Sequence, residues 1–338
     1  MTTPSYTSPL AQAVSRFKGK RVLVVGDMVA DEYIVGKPAR ISREAPVLVL
    51  HHGHEFIRPG SAANVAFNLA SLGAETFVTG AIGPDPMGEK LTQTLASLDI
   101  DVGGLIVCPD RATDTKTRII GRGDQEIQQQ IVRIDRIDSS AMRAEETTAL
   151  IAFLHATLPS VDAVVISDYE NGVIGPAVLA DLLPAARKLD IVIAVDSHGD
   201  LFRFKGVTFA TPNQPEAEST LGITIHGEND LEAAGEKLRS GMEAEGVLIT
   251  RGSQGMSLFQ RGFPATHLQP ANLHEVFDPT GAGDTTCAVF TLAVLAGASM
   301  DQAAILGNLA AGEVVKRLGA ATIDAETLAG IARATAIQ

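Results

Sequence analysis

Six short apolar runs rich in β-branched residues recur along the chain, separated by stretches of helical spacing, and this rhythm leaves few folds open. The runs are Arg21 to Gly26, Thr76 to Ile82, Ala163 to Ser167, Ile191 to Asp196, Thr208 to Thr211 and Gly246 to Thr250. From Val22 onward the first is apolar without alternation, as a strand must be when helices cover both faces of its sheet. Between the runs lie Ala62 to Leu72, Met87 to Leu98, Ala144 to Thr157, Ala177 to Leu189 and Leu231 to Met242, each with apolar residues recurring at helical intervals. The alternation predicts an α/β fold with a mostly parallel open sheet and helices on both faces. Ligands of such sheets gather at the carboxyl ends of strands, where Gly26, Asp27, Ser167, Asp168, Asp196 and Asn213 fall.

Two segments break the rhythm, about 33–56 and 104–134. Within them Thr115 to Ile119 and Gln128 to Asp135 alternate with period two, which predicts antiparallel strands exposed on one face. The expectation is one domain over residues 1–338 with a small antiparallel β-lid inserted in it. An exposed lid can pair with a second copy of itself, so a homodimer through the lid is expected.

Composition narrows the partners. The 338 residues carry 27 basic and 40 acidic side chains, a formal charge of −13, which repels phosphate backbones and anionic lipid. No basic run offsets it, so the expected partner is a small molecule rather than nucleic acid or membrane. Cys108 and Cys287 stand far apart without CxxC spacing, which argues against a disulfide scaffold or thiolate zinc site and for two buried apolar residues. The N-terminal segment lacks the apolar run of a signal peptide, and the stretch from Ala288 to Ala298 is too short to span a bilayer. A cytoplasmic enzyme is the reading.

The segment Asp278 to Thr286 carries the most chemistry. Gly281 and Gly283 permit close backbone approach, and the unpaired amides opening the following helix, with its dipole, favour an anion there. Asp284 falls in the first helical turn, where the same field keeps a carboxylate ionised and able to take a proton from a hydroxyl. The alternative is a plain tight turn followed by an N-terminal Asp. Competing motifs fail: Gly83 to Lys90 has a P-loop's two glycines, but Glu89 displaces the lysine and no Ser or Thr follows, leaving a loop that opens a helix. Gly281 and Gly283 lack the third glycine of a dinucleotide fingerprint, which disfavours a nicotinamide-dependent dehydrogenase. His51, His52 and His54 lie on a strand-like segment without the second histidine of HExxH, so a strand face is preferred to a metal site.

Asp278 to Asp284 resembles the DxTGAGD signature of the ribokinase-like (PfkB) carbohydrate kinases, and Gly60 to Asn64 resembles their N-terminal Gly-rich signature. Gly26-Asp27 with Asp31, Asn213 with Glu216, and Thr250 to Gly252 add further ordered matches, so the resemblance runs from about Lys20 to Ala332. Within the family, Arg40 to Pro46, Arg58 to Gly60, Thr115 to Arg118, Arg133 to Asp135, Ser167 to Tyr169 and Lys316 to Gly319 resemble the branch whose acceptor is a heptose 7-phosphate. Many members of that branch are fused to a nucleotidyltransferase. The chain ends where the kinase part would, so a stand-alone kinase is expected. Ser61, Arg43 and Pro279 depart from the usual glycine, proline, and Val or Thr.

The resemblance implies an ATP-dependent sugar-phosphate kinase in which Asp284 takes the proton of the acceptor hydroxyl. The amides of Gly281, Ala282 and Gly283 would hold the charge on the transferred phosphoryl group. It assigns Asn213 and Glu216 to Mg²⁺, and Asn213, Thr250, Gly252 and Asn308 to ATP. Some relatives also bind K⁺ near the anion hole. Asp31, Gly60 and Asn64, with Asp27, match the sugar-binding positions. Lys116, Arg118 and Arg133 carry the right charge for the substrate's phosphate, or are cations on a wet strand face. Other acceptors, such as fructose 1-phosphate, ribose or a nucleoside, remain open at this stage, as does a sugar-phosphate sensor that keeps the fold without catalysis.

Overall fold

The computed structural model describes residues 8–123, 128–272, 276 and 278–335; 124–127 of the second lid segment and Phe277 of the Gly-rich segment lie outside the described residues. Thirteen strands are described: β1 Arg21–Gly26, β2 Met28–Ile41, β3 Leu48–Ser61, β4 Glu75–Ile82, β5 Ile100–Val107, β6 Thr115–Arg122, β7 Gln128–Arg136, β8 Ala163–Asp168, β9 Val192–Ser197, β10 Phe209–Ala210, β11 Gly246–Thr250, β12 Met256–Gln260 and β13 Thr266–Leu268. The helices are α1 Pro9–Ser15, α2 Ala62–Ser71, α3 Pro86–Ala96, α4 Ala144–Thr157, α5 Pro176–Lys188, α6 Gln214–Leu221, α7 Glu228–Met242, α8 Ala282–Leu295, α9 Met300–Val314 and α10 Ala325–Thr335.

Nine strands form the main sheet in the order β13-β12-β11-β10-β9-β8-β1-β4-β5. From β11 to β5 every pairing is parallel, and the β11-β12-β13 end is antiparallel. The expected α/β fold is the observed one, and the six apolar runs are its strands to within a residue or two. They are buried because helices cover both faces, giving two large apolar cores, one packed around α2, α8 and α9 and the other around α4, α5 and α7. Local chemistry sets the helix starts. At α3, Asp85 accepts from the amides of Met87 and Gly88 ahead of Pro86, so the P-loop look-alike is a helix cap.

A second sheet, in the order β3-β2-β6-β7, forms the lid. Its central pair β2 and β6 is parallel, flanked by antiparallel β3 and β7. The expected small antiparallel lid is present, with the β2 and β6 pair running parallel at its centre. Its bounds also shift. β2 begins at Met28 rather than Tyr33, and residues 104–107 belong to β5 at the edge of the main sheet. Residues 104–107 read Gly-Leu-Ile-Val without alternation, and their parallel pairing with β4 is what assigns them to the main sheet. Pairing register places Asp31 beside Lys116, Tyr33 beside Arg118, and Arg118 beside Arg133, all on one face. The opposite face carries Val132 and Ile134, each more than two-fifths exposed.

Candidate active site

Asp284 sits in the first turn of α8, 6% exposed, at the floor of a cleft of about 250 Å³. Tyr169, Asp196, His198, Asn213, Glu216 and Gly283 share that cleft. α8 opens at Gly281, whose φ of +81° is the left-handed conformation that glycine adopts at no steric cost. A Cβ there would also stand 2.8 Å from Asn64 Nδ2. The amides of Gly281 and Gly283 have no hydrogen-bond partner among the described residues, whereas the amide of Ala282 donates to the Pro279 carbonyl at 3.2 Å. The donor cradle is thus formed by the two glycines; the Ala282 amide is consumed in the turn.

Both oxygens of Asp284 are engaged. Asn64 Nδ2 donates to Oδ2 at 2.6 Å and Tyr169 Oη to Oδ1 at 2.9 Å. Burial pushes the Asp284 pKa up to about 6, opposed by these two donors and by Lys116, and reinforced by the Asp31 carboxylate. A carboxyl poised there ionises just below neutrality and suits a general base.

The sugar-side residues divide. Asn64 is at the base. Asp31, buried on β2, forms an ion pair of 2.8 Å with buried Arg118, and burial raises its pKa against the pull of Arg118. Gly60 makes room for that carboxylate, because a Cβ there would lie 2.9 Å from Asp31 Cγ. Asp27 does something else: its carboxylate accepts the loop amides of Tyr169, Asn171 and Val173, so it holds the loop after β8. That is a correction to its placement among substrate ligands. Of the three cations, Lys116 lies 5.2 Å over the Tyr169 ring and electrostatically nearest the base. Arg118 is committed to Asp31, and Arg133 is half-exposed and paired with Asp135 at 2.9 Å. They share a lid face but do not converge as three open cations.

Asn213 and Glu216 form a reciprocal cap at the start of α6: the Asn213 side chain accepts from the Glu216 amide at 2.9 Å, and the Glu216 carboxylate accepts from the Asn213 amide at 2.7 Å. Both still line the cleft. Burial lifts the Glu216 pKa to about 7, with Asp284 adding to the rise. Asp196, at the carboxyl end of β9, is held well above the carboxylate range by burial and by the charges of Asp284 and Glu216. Three mutually repelling acids around a small cleft are a fitting surround for a divalent cation. Among the described residues no three His, Cys, Asp or Glu side chains cluster tightly enough to cage a metal alone.

A second cavity of about 780 Å³ adjoins the first through Asn213, Thr250 and Gly283 and is lined also by Gly252, Ala282, Asn308 and Val315. It is large enough for a nucleotide. Gly252 holds a φ of +53° there. Asn308 is turned to its own chain: Nδ2 donates to the Gln269 carbonyl at 2.6 Å and Oδ1 accepts the Ala271 amide at 3.3 Å. It therefore shapes the cavity wall by pinning residues 269–271 while still lining the cavity.

The sequence placed Asp196 at a ligand-gathering strand end and Tyr169 in a stretch of family resemblance without a chemical role for either, and gave no sign of His198. The carboxyl ends of β8 and β9 were the available signal. Ser61 takes a φ of +51°, a backbone state that the usual glycine adopts freely. Arg58 ties the lid to the loop beside the cradle by donating to the carbonyls of Leu318 and Ala320, both at 3.2 Å. His51, His52 and His54 lie on exposed β3, and both cysteines are buried and unpaired.

The sequence matches the pfkB family carbohydrate kinases over residues 20–328. The bifunctional protein HldE of Geobacter sulfurreducens is 39% identical over 309 residues, covering 91% of this chain and 62% of the relative. That of Shewanella amazonensis has the same identity and coverage. This chain therefore spans under two thirds of those relatives. Among solved structures, phosphofructokinase-2 from Escherichia coli in complex with potassium superposes with a TM-score of 0.77 at 19% identity, covering 94% of this chain and 99% of that one. Arabidopsis thaliana ribokinase complexed with ribose and ATP gives 0.71 at 17% identity, covering 93% and 99%.

Proposed function

Because the chain belongs to the pfkB family of carbohydrate kinases and is a sugar phosphotransferase, we propose that it moves the γ-phosphoryl group of ATP to the C1 hydroxyl of D-glycero-β-D-manno-heptose 7-phosphate. The product would be the 1,7-bisphosphate used in ADP-heptose and lipopolysaccharide core synthesis. The observation that carries the reading is the juxtaposition of Asp284 with the Gly281 and Gly283 amides, joined to Asn64 and electrostatically close to Asp31. The likeness to HldE proteins supports a heptose phosphate as acceptor.

Phosphoryl transfer asks little covalent help of a protein, so positioning and charge dominate. Asp284 accepts the proton of the attacking hydroxyl, with Asn64 fixing its orientation. The glycine amides stabilise charge on the transferred group. Asp31 and Asn64 receive the sugar hydroxyls, and Lys116, with Arg118 and Arg133 on the same lid face, neutralises the substrate phosphate. ATP occupies the 780 Å³ cavity along Thr250 and Gly252. Glu216 and Asn213, with Asp196 nearby, would hold Mg²⁺, which when bound would screen the phosphate charge. K⁺ near the cradle is part of the same proposal. We place the enzyme in the cytoplasm; no helix among the described residues is long and apolar enough to cross a membrane. The exposed Val132 and Ile134 support a homodimer through the lid.

A panel of sugars and sugar phosphates assayed for ADP release tests the proposal. Turnover with heptose 7-phosphate is the expected result, with phosphate located at C1 by NMR. Turnover of fructose 1-phosphate or ribose, without heptose 7-phosphate, would overturn the substrate assignment.

A further inference from the structure

Asn64 is not the only group that holds Asp284. Tyr169 Oη donates to the other carboxylate oxygen, and the tyrosine is itself fixed from three directions. Its amide donates to Asp27 at 2.7 Å, alongside those of Asn171 and Val173. Asp27 is 1% exposed, and its own amide is anchored to the Ser167 carbonyl between β1 and β8. The His198 imidazole packs against the phenol with ring centroids 4.1 Å apart, and Lys116 Nζ from β6 lies 5.2 Å over the same ring. A side chain tied at its backbone and braced at its ring by two other elements has little freedom to swing away.

We propose that Tyr169 is a positioning residue for phosphoryl transfer, its phenol setting the orientation of the Asp284 carboxylate and holding that carboxylate in its ionised form. The inference rests on the reading of Asp284 as the base. A hydroxyl donating to a carboxylate favours the anion, and the preference is large where water is excluded. The surroundings need such a donor. Burial and the Asp31 carboxylate on β2 favour the neutral acid, Asp196 on β9 and Glu216 on α6 lie within reach of the Asp284 charge, and the Cys287 thiol lies one turn along α8; Lys116 on β6 and the Asn64 amide on α2 act in the other direction. The phenol is a donor and not a proton source, because burial and the Asp284 charge raise its own pKa well above that of free tyrosine. Two fixed donors, one per oxygen, leave the remaining lone pairs in a defined direction for an incoming hydroxyl.

The substitution Tyr169→Phe keeps the ring, its packing on His198 and its contact with Lys116, and removes only the donor. Protein enriched with carboxyl-¹³C aspartate reports the titration of Asp284 directly, the resonance being assigned by its loss in Asp284→Asn. The midpoint should rise by about one pH unit in Tyr169→Phe. The acid limb of kcat should move with it, so that activity lost at pH 6 returns toward wild type by pH 8.5, with KM for the sugar little changed. A merely structural role would lower kcat evenly at all pH. An unchanged midpoint, or a pH-independent loss, overturns the proposal. The carboxyl titration needs no turnover: a wild-type protein inactive toward every sugar refutes the kinase reading, while a shifted midpoint still supports the Tyr169 assignment.

Discussion

Asn64 and Asp284, 220 residues apart in the chain, meet in a hydrogen bond of 2.6 Å from Nδ2 to Oδ2. The contact forms because α2 and α8 pack together with both N-termini toward the carboxyl ends of the strands, bringing the two Gly-rich signatures to one point. Thr285, next to the base, repeats the link by donating to Asn68 Oδ1 at 2.8 Å, one turn further along α2. Two helices are thereby clamped at the residues that would do the chemistry.

Asp284→Asn keeps the shape of the side chain and removes its proton acceptor. A loss in kcat of about a hundredfold or more is expected, with nucleotide affinity by calorimetry changed little. In the wild-type enzyme, kcat should rise as pH climbs through about 6, because the base must be ionised. Turnover in Asp284→Asn within tenfold of wild type would refute the base role.

Glu216 supplies a stability test. Its folded pKa of about 7 lies above the unfolded value near 4.3, so the folded state holds the proton more tightly. Its contribution is fully present below the unfolded pKa and is lost as pH rises through about 7. The apo protein should therefore melt at a lower temperature at pH 8 than at pH 5.5. Glu216→Gln, which keeps a carbonyl oxygen for the cap, should narrow that gap while raising the Mg²⁺ concentration needed for half-maximal activity. Calorimetric scans at the two pH values and a metal titration read both effects.

Gly60→Ala should act on the sugar site. The added methyl would stand 2.9 Å from Asp31 Cγ, too close to coexist with the Asp31 and Arg118 pair. Overpacking of this kind costs about 1–3 kcal/mol. KM for the sugar is expected to rise about tenfold or more, consistent with that strain energy, and kcat to change less. An unaltered KM would show that the carboxylate is not a sugar ligand.

Ile134→Lys places a charge on the apolar outer face of the lid, away from Asp31 and Lys116. The protein should then elute as a monomer while wild type is a dimer by light scattering. A monomeric wild type would dispose of the lid interface.

Much of this architecture was legible because it rests on local chemistry. Buried parallel strands must be apolar on both faces, so RVLVVG in β1 and GVLIT in β11 announce themselves. The cradle was legible too, since a left-handed turn before a helix calls for a residue such as Gly281. What misled was sequence adjacency: residues 104–107 were grouped with the lid strands that follow, but they pair with β4 at the edge of the main sheet. Asp27 carries a side chain suited to a ligand, but it is buried and its hydrogen bonds are spent on the loop after β8. Side-chain type gives chemical capacity, not direction.

The order of strands and helices, the glycines of the cradle and the identity of the acid behind them follow from the linear chain, because each depends on neighbours within a turn or two. Which oxygen of Asp284 faces Asn64 and which faces Tyr169, whether Arg118 pairs with Asp31, and that the Asp284 charge raises the proton affinity of both Asp196 and Glu216 were decided only by packing. Those are interactions of a few ångströms between residues tens to hundreds of positions apart. Their strength depends on water excluded by helices that no local pattern can place.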